Sequence, residues 1–442
     1  MLLFNNSPIA WLNRPYFDLS PYIGGSPHLY AIELSYQNLI NNPPAIYNLQ
    51  VNYSSLFRKS LLEENRLLQY NVDNPLQLPN ELRTERWNQL CDYLIHYQEL
   101  KPVSKLLVMN LVRSLSLHQT VLEYVPQMSE AEIASDQNLA ALALCRAVSS
   151  VVSNSDYGYL DDLKEIEIIA TNAPSSSLIR AQASILLLVR YATTFRDLPS
   201  AEHWRAIATQ EIQDIKPLLN DFQYNLLMSI YYRAVTFVPL LHRDKEKVIQ
   251  EMELCEFYGK SLICENEIQQ IVANENMNIL TESRVKEALW LGDLDLAQER
   301  ARRLIAMEPL DSRYRLELGE LLIKVSKIEE AAKIYASATR LGPPGTAVAW
   351  FMKGQCYEAL GEIEIASDSY LTALQIDSEA ISAVERLAKL APDLGNSALV
   401  NWSKLRLMEL QKQKQMNPVN SQHLFISEVS SELKTAAQGI RQ

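Results

Sequence analysis

Through the middle of the chain, apolar positions recur every three or four residues with polar residues between them. Leu82, Trp87, Leu90, Leu94 and Ile95 make one such series, Leu106, Leu107, Met109, Leu111 and Val112 a second, and Leu139, Leu142, Leu144, Val148 and Val152 a third. That spacing follows the period of an α-helix with one buried stripe. From Ala181 to Tyr191 the pattern is apolar almost all round, with Ile185, Leu186, Leu187, Leu188 and Val189, and predicts a helix enclosed by neighbours. Asn172-Ala173-Pro174-Ser175 ends one helix and caps the next. In Leu198-Pro199-Ser200-Ala201-Glu202, Ser200 is the predicted N-cap. Asp161 with Asp162, and Asp293 with Asp295, mark further helix starts. Only Gly24, Gly25, Gly158 and Gly259 precede residue 278, too few for the tight strand-to-helix turns of a nucleotide-binding α/β domain. Residues 81–277 are therefore predicted to be a run of helix hairpins.

Between Asn278 and Ala380 the pattern acquires a second, longer period. Copies starting at Asn278, Ser312 and Ala347 lie 34 to 35 residues apart. The turn position holds Gly292, Ser326 and Gly361; five residues later stand Ala297, Ala331 and Ala366. Ala301, Tyr335 and Tyr370 follow, then Leu304, Ala338 and Ala373, and the closing position holds Pro309, Pro343 and Ser378. The third copy also carries Trp350, Gly354 and Tyr357 on its first helix, where the first copy has Val285 in place of Gly354. Small residues recur because two helices approach closely there, and glycine at the turn supplies the left-handed backbone that ends the first helix.

These offsets resemble the tetratricopeptide repeat. The resemblance implies an all-α fold, an α-solenoid in which helix hairpins stack into a right-handed superhelix and share one core. It covers residues 278–392 clearly, and 81–277 are read as degenerate hairpins of the same kind. The flanks differ. Residues 1–80 hold Pro8, Pro15, Pro21, Pro27, Pro43 and Pro44 among many aromatics, including Trp11, Tyr16, Phe17 and Tyr22. Tyr30, Ile32, Leu34, Tyr36 and then Tyr47, Leu49, Val51, Tyr53 alternate as in a β-hairpin, although a helix from Leu29 to Ile40 fits nearly as well. This irregular segment is expected to cap the first helices, or to offer a binding face. Residues 393–442 are expected to form C-terminal helices with a linker near 411–420. There, Phe425, Val429, Leu433, Ala436 and Ile440 make one apolar stripe, which either docks on the solenoid or joins the chain into a homo-oligomer.

Composition removes several function classes. A net charge of -12 with no basic stripe disfavours nucleic acid as a partner. No apolar run reaches the length of about 18 residues that a membrane span requires, and the start MLLFNNSPIAWLNRP lacks the cationic region of a signal peptide. A cytoplasmic protein is expected. Cys91, Cys145, Cys255, Cys264 and Cys356 are scattered in apolar surroundings, as reduced buried thiols would be. His28, His96, His118, His203, His242 and His423 include no pair at metal-ligand spacing. His242-Arg243-Asp244 matches three letters of a kinase catalytic loop, but Ile249 stands where that loop needs asparagine. No phosphate-binding loop, nucleophile elbow or acid/base pair appears, so no metal, cofactor or catalytic residue is expected.

By the resemblance, the first helix of each repeat lines a concave groove that captures a peptide or helix of a partner protein. The positions facing it are Glu282, Lys286 and Leu289 in the first copy. Arg313, Leu316, Glu320 and Lys324 face it in the second, and Phe351, Gln355 and Glu358 in the third. Mixed charges with Leu316 and Phe351 suit an amphipathic peptide. Glu320 and Gln355 stand where some family members use asparagine to clamp a terminal carboxylate, which disfavours that class of ligand. Two other readings stay open. One is a peptide-sensing regulator, although residues 1–80 lack a basic recognition helix. The other is an enzyme or an accessory subunit of a modifying complex, with the aromatic N-terminal segment in its substrate pocket.

Overall fold

The computed structural model describes residues 74–416, except 84, 115–116, 154–162, 176–177, 266, 308–310 and 342–344. The aromatic segment with its β-hairpin or helix, the stripe from Phe425 to Ile440, and Asp161, Asp162, Pro309 and Pro343 lie outside the described residues. Every regular element within them is helical. The chain divides into two compact units, with described residues 74–283 in one and 284–416 in the other.

The unit of residues 74–283 is built from α1 (Glu85–Ile95), α2 (Pro102–Ser114), α3 (His118–Tyr124), α4 (Glu130–Ser135), α5 (Gln137–Ser153) and α6 (Lys164–Asn172). It continues with α7 (Leu178–Arg190), α8 (Leu198–Ile215), α9 (Asp221–Val235), α10 (Phe237–Leu241), α11 (Lys245–Lys260) and the first part of α12 (Glu267–Leu291). The expected boundary at 277/278 falls inside α12, and the two units part at Arg284. Trp87, Leu90 and Leu94 are buried as their spacing predicts, whereas Ile95, at the end of α1, is 63% exposed. Helix α7 is enclosed on most sides: Ile179, Ala181, Ala183, Ser184, Ile185, Leu187 and Leu188 are all buried. It packs against α6 and α8.

One predicted cap is corrected. Asp197, not Ser200, caps α8, accepting from Ser200 N, while the Ser200 hydroxyl donates back to Asp197 Oδ2 at 2.6 Å. Pro199 occupies the first turn, where its missing N–H costs no helix bond. Ion pairs tie helices at the core margin: Arg146–Glu165 at 2.8 Å joins α5 to α6, Arg180–Glu211 at 3.1 Å joins α7 to α8, and Arg205–Glu251 at 2.5 Å joins α8 to α11. Burial raises the pKa of each of these glutamates despite its arginine.

The unit of residues 284–416 contains the end of α12, then α13 (Leu294–Met307), α14 (Ser312–Lys324), α15 (Ile328–Ala338), α16 (Thr346–Ala359), α17 (Ile363–Ile376), α18 (Ile381–Leu390) and α19 (Ser397–Met416). Gly292, Ser326 and Gly361, the predicted turn residues, all adopt positive φ, at 86°, 61° and 83°. Each turn closes with the same pair of bonds. Gly292 N donates to Leu289 O and Asp293 N to Ala288 O; Ser326 N bonds Ile323 O and Lys327 N bonds Leu322 O; Gly361 N bonds Glu358 O and Glu362 N bonds Tyr357 O. This satisfies the last carbonyls of the first helix, which otherwise lack partners. Gly395, at φ 63°, repeats the turn with Asn396 N donating to Ala391 O. Helices α18 and α19 are therefore a fourth hairpin, and the expected boundary at 392/393 falls in its turn.

Within the hairpins, the alanines five residues past the turn are fully buried: Ala297, Ala331 and Ala366 are 0% exposed. Opposite them, bulk is shared between two positions. A Cβ added to Gly354 would lie 2.6 Å from the Tyr370 ring, and one added to Gly319 would collide with the Tyr335 ring. The first copy reverses the pair, with Val285 and Ala301 both buried.

Two outcomes follow from these contacts. Ser326 is exposed and pays the left-handed penalty with no compensating contact, so Ser326→Gly is expected to stabilise the protein by roughly 0.5–1 kcal/mol in a urea titration. Gly354→Ala forces a methyl group into a closed ring contact and is expected to cost at least about 2 kcal/mol. Combining Gly354→Val with Tyr370→Ala, the first copy's arrangement, should cost clearly less than the sum of the two single changes. Strict additivity would refute the shared-volume account.

Candidate partner-binding groove

The first helices α14 and α16 bear most of the residues expected to face a partner, and their side chains divide into three groups. Some belong to the fold. Leu316 is 4% exposed and packs in the core with Leu318 and Leu322, its Cδ1 closing on the left-handed turn at Gly345. It is corrected from a groove residue to a core residue, because helical spacing alone does not separate the two sides of a thin stripe. Phe351 is half-buried and tilts against the Tyr370 ring at 5.5 Å, so it spends much of its surface inside the hairpin. Leu289 packs at the edge of the core beside Val285 and Ala288.

A second group is charged and exposed or half-buried. Asp311 caps α14 through Arg313 N and also holds the Arg313 guanidinium at 2.8 Å, leaving that side chain 48% exposed. Glu320 and Lys324 pair at 3.0 Å, one helical turn apart. Lys286 is exposed on α12. Glu282 lies on the same helix but belongs to the unit of residues 74–283, where its charge acts on Arg233.

The third group forms a cleft. Gln355 and Glu358 stand with Ile323, Ile328, Cys356, Ala359 and Arg386 around an open hollow of about 340 Å³. Its polar rim is fixed from below. The Tyr370 hydroxyl donates to Glu358 Oε2 at 2.6 Å and Arg386 Nη1 donates to Glu358 Oε1 at 3.1 Å. Burial, and then the bond to Glu358, push the Tyr370 phenol above its ordinary pKa, so it remains a donor at neutral pH. Elsewhere on α16, the Lys353 ammonium lies 4.2 Å from the Trp350 ring centroid, and burial lowers its pKa. The Cys356 thiol, pushed up to about 11 by burial, stays protonated at neutral pH and is no nucleophile there. Among the described residues no cluster of three or more His, Cys, Asp or Glu could hold a metal ion.

Sequence reasoning missed Ile323, Ile328, Cys356, Ala359 and Arg386. Ile323 reads as one more apolar position of α14. Arg386 was findable from Gly395, which lies 34 residues after Gly361 and puts Ile381–Leu390 in phase as a further first helix.

The tetratricopeptide repeat family models match residues 283–346 and 347–380. No curated protein matches the chain. Among solved structures, a chain of the crystal structure of the APC/C hetero-tetramer Cut9-Hcn1 aligns with 97% of this chain and 98% of its own, at 15% identity and a TM-score of 0.26. A superposition that loose bears on neither function nor helix arrangement.

The cleft separates residues that hold structure from residues that only line it. Glu358→Ala orphans the Tyr370 hydroxyl and one Arg386 bond, and is expected to destabilise by about 1–3 kcal/mol in thermal or urea unfolding. Gln355→Ala should stay within roughly 0.5 kcal/mol of the parent. Equal effects of the two changes would overturn this division.

Proposed function

Because residues 283–380 are tetratricopeptide repeats, we propose that the chain is a protein-interaction scaffold that holds a short segment of a partner protein along α14, α16 and α18. The observation that carries this reading is the cleft at Gln355, Glu358 and Arg386. Its lining is part apolar, with Ile323, Ile328, Cys356 and Ala359, and part polar, with an amide, a carboxylate and a guanidinium. A hollow of about 340 Å³ takes one large apolar side chain, and a rim of both charges suits the polar flank of an amphipathic segment. Arg313, Glu320 and Lys324 extend that mixed surface along α14. A peptide ending in several carboxylates is less well served, because Glu320 and Glu358 would repel it and the only arginine on the cleft rim is already bound to Glu358.

Phe351, a groove-facing position by the resemblance, is committed in part to Tyr370, so the anchor point in this proposal is the cleft. No helix among the described residues is long and apolar enough to cross a membrane. A cytoplasmic setting remains part of the proposal.

The test uses the full chain as bait in extracts of its host, followed by cross-linking of the captured protein and mass spectrometry. Cross-links are expected on α14 and α16, and Gln355→Arg with Lys324→Glu should lower affinity for the captured protein at least roughly tenfold with an unchanged melting temperature. Undiminished affinity in a folded double variant would refute the groove as the binding site.

A further inference from the structure

The inward stripe of α11 holds Val248, Met252 and Cys255, and helical spacing places Glu251 in the same stripe. At 4% exposure it is the most deeply buried carboxylate among the described residues. A charge taken out of water is costly unless every one of its oxygens finds a donor. One of them does: Arg205 Nη2, on α8, donates to Glu251 Oε1 at 2.5 Å. The other, Oε2, is enclosed with no hydrogen-bonding group of the protein beside it.

The titratable groups acting on this carboxylate come from several sides. Arg205 reaches it from α8 and Tyr232 from α9, while Asp244 and Lys247 lie at the start of α11 itself. Helix α10 also packs on α11, but its five residues are all apolar. Two cations therefore face Glu251 against one anion. Burial still outweighs them and raises its pKa. A single added proton cancels the charge and removes the cost of keeping Oε2 dry. Arg205, whose side chain is 26% exposed, can then turn to solvent without becoming a buried unpaired charge.

We propose that Glu251 is a proton-operated switch at the contact of α8 with α11, taking up one proton in mild acid and thereby making the unit of residues 74–283 more stable than at neutral pH. This inference is independent of the groove. Because the folded-state pKa lies above the ordinary value of 4.5, the added stability is complete below that value and is lost as pH rises through the folded-state pKa.

Urea unfolding of the full chain, in steps from about pH 8 down to about pH 5, tests it with the parent and with Glu251→Gln, a neutral group of the same shape. All other carboxylates titrate alike in the two chains, so their difference reports Glu251. The parent is expected to gain on the variant as pH falls. A difference that does not change with pH overturns the proposal. So does a parent that loses ground in acid, the behaviour of an ordinary paired carboxylate. Carbon-13 NMR titration of the glutamate carboxyls gives a second measurement that needs no folded Glu251 variant. The Glu251 signal, assigned by its response to Arg205→Gln, should titrate above the ordinary carboxylate range and move higher still in that variant. A midpoint within or below that range overturns the proposal.

Discussion

Where the two helices of a hairpin cross, the space between their backbones is fixed, and the two side chains that meet there must divide it. Gly319 and Gly354 give up all of their share, and Tyr335 and Tyr370 fill it with rings that are almost fully buried. Val285 and Ala301 divide the same space more evenly. The alanines a turn away set how near the helices come, so the seam and the crossing depend on each other. Dense packing makes this sum of volumes, rather than either residue, the quantity that the fold requires. The stacking of one hairpin on the next then builds on the ridge that the seam leaves behind.

The turn is the second requirement, and it is a backbone one. Positive φ at Gly292, Ser326, Gly361 and Gly395 reverses the chain within a few residues and lets two N–H groups return to the helix just ended. Serine meets this condition at one position without the freedom of glycine. The strain there is tolerated because the seam on either side of it, with Gly319, Ala331 and Tyr335, is complete.

These local requirements explain what was legible. Turn residues, seam alanines and tyrosines stand at fixed offsets because geometry dictates their type, and the structure places them where the repeat pattern does. The fourth hairpin kept only its turn: Val400, Lys404 and Leu407 stand at the offsets where alanine and tyrosine mark the third, and only Gly395 betrays the phase. In the candidate groove, first-helix residues alternate between core and surface within a single turn. Leu316 and Arg313 are therefore neighbours in sequence pattern but not in environment. The cleft was illegible for another reason. It assembles residues of α14, α15, α16 and α18, and depends on a register between hairpins that no single segment encodes.

Tyr370 belongs to both levels at once. Its ring completes the seam against Gly354 and its hydroxyl reaches through to hold Glu358 at the rim of the cleft. A carboxylate on a surface helix normally samples several rotamers, and a ligand must halt that motion as it binds. Here folding has already halted it. The entropic cost of ordering Glu358 is met once, when the hairpin closes, and any partner that uses the rim finds that side chain preorganised.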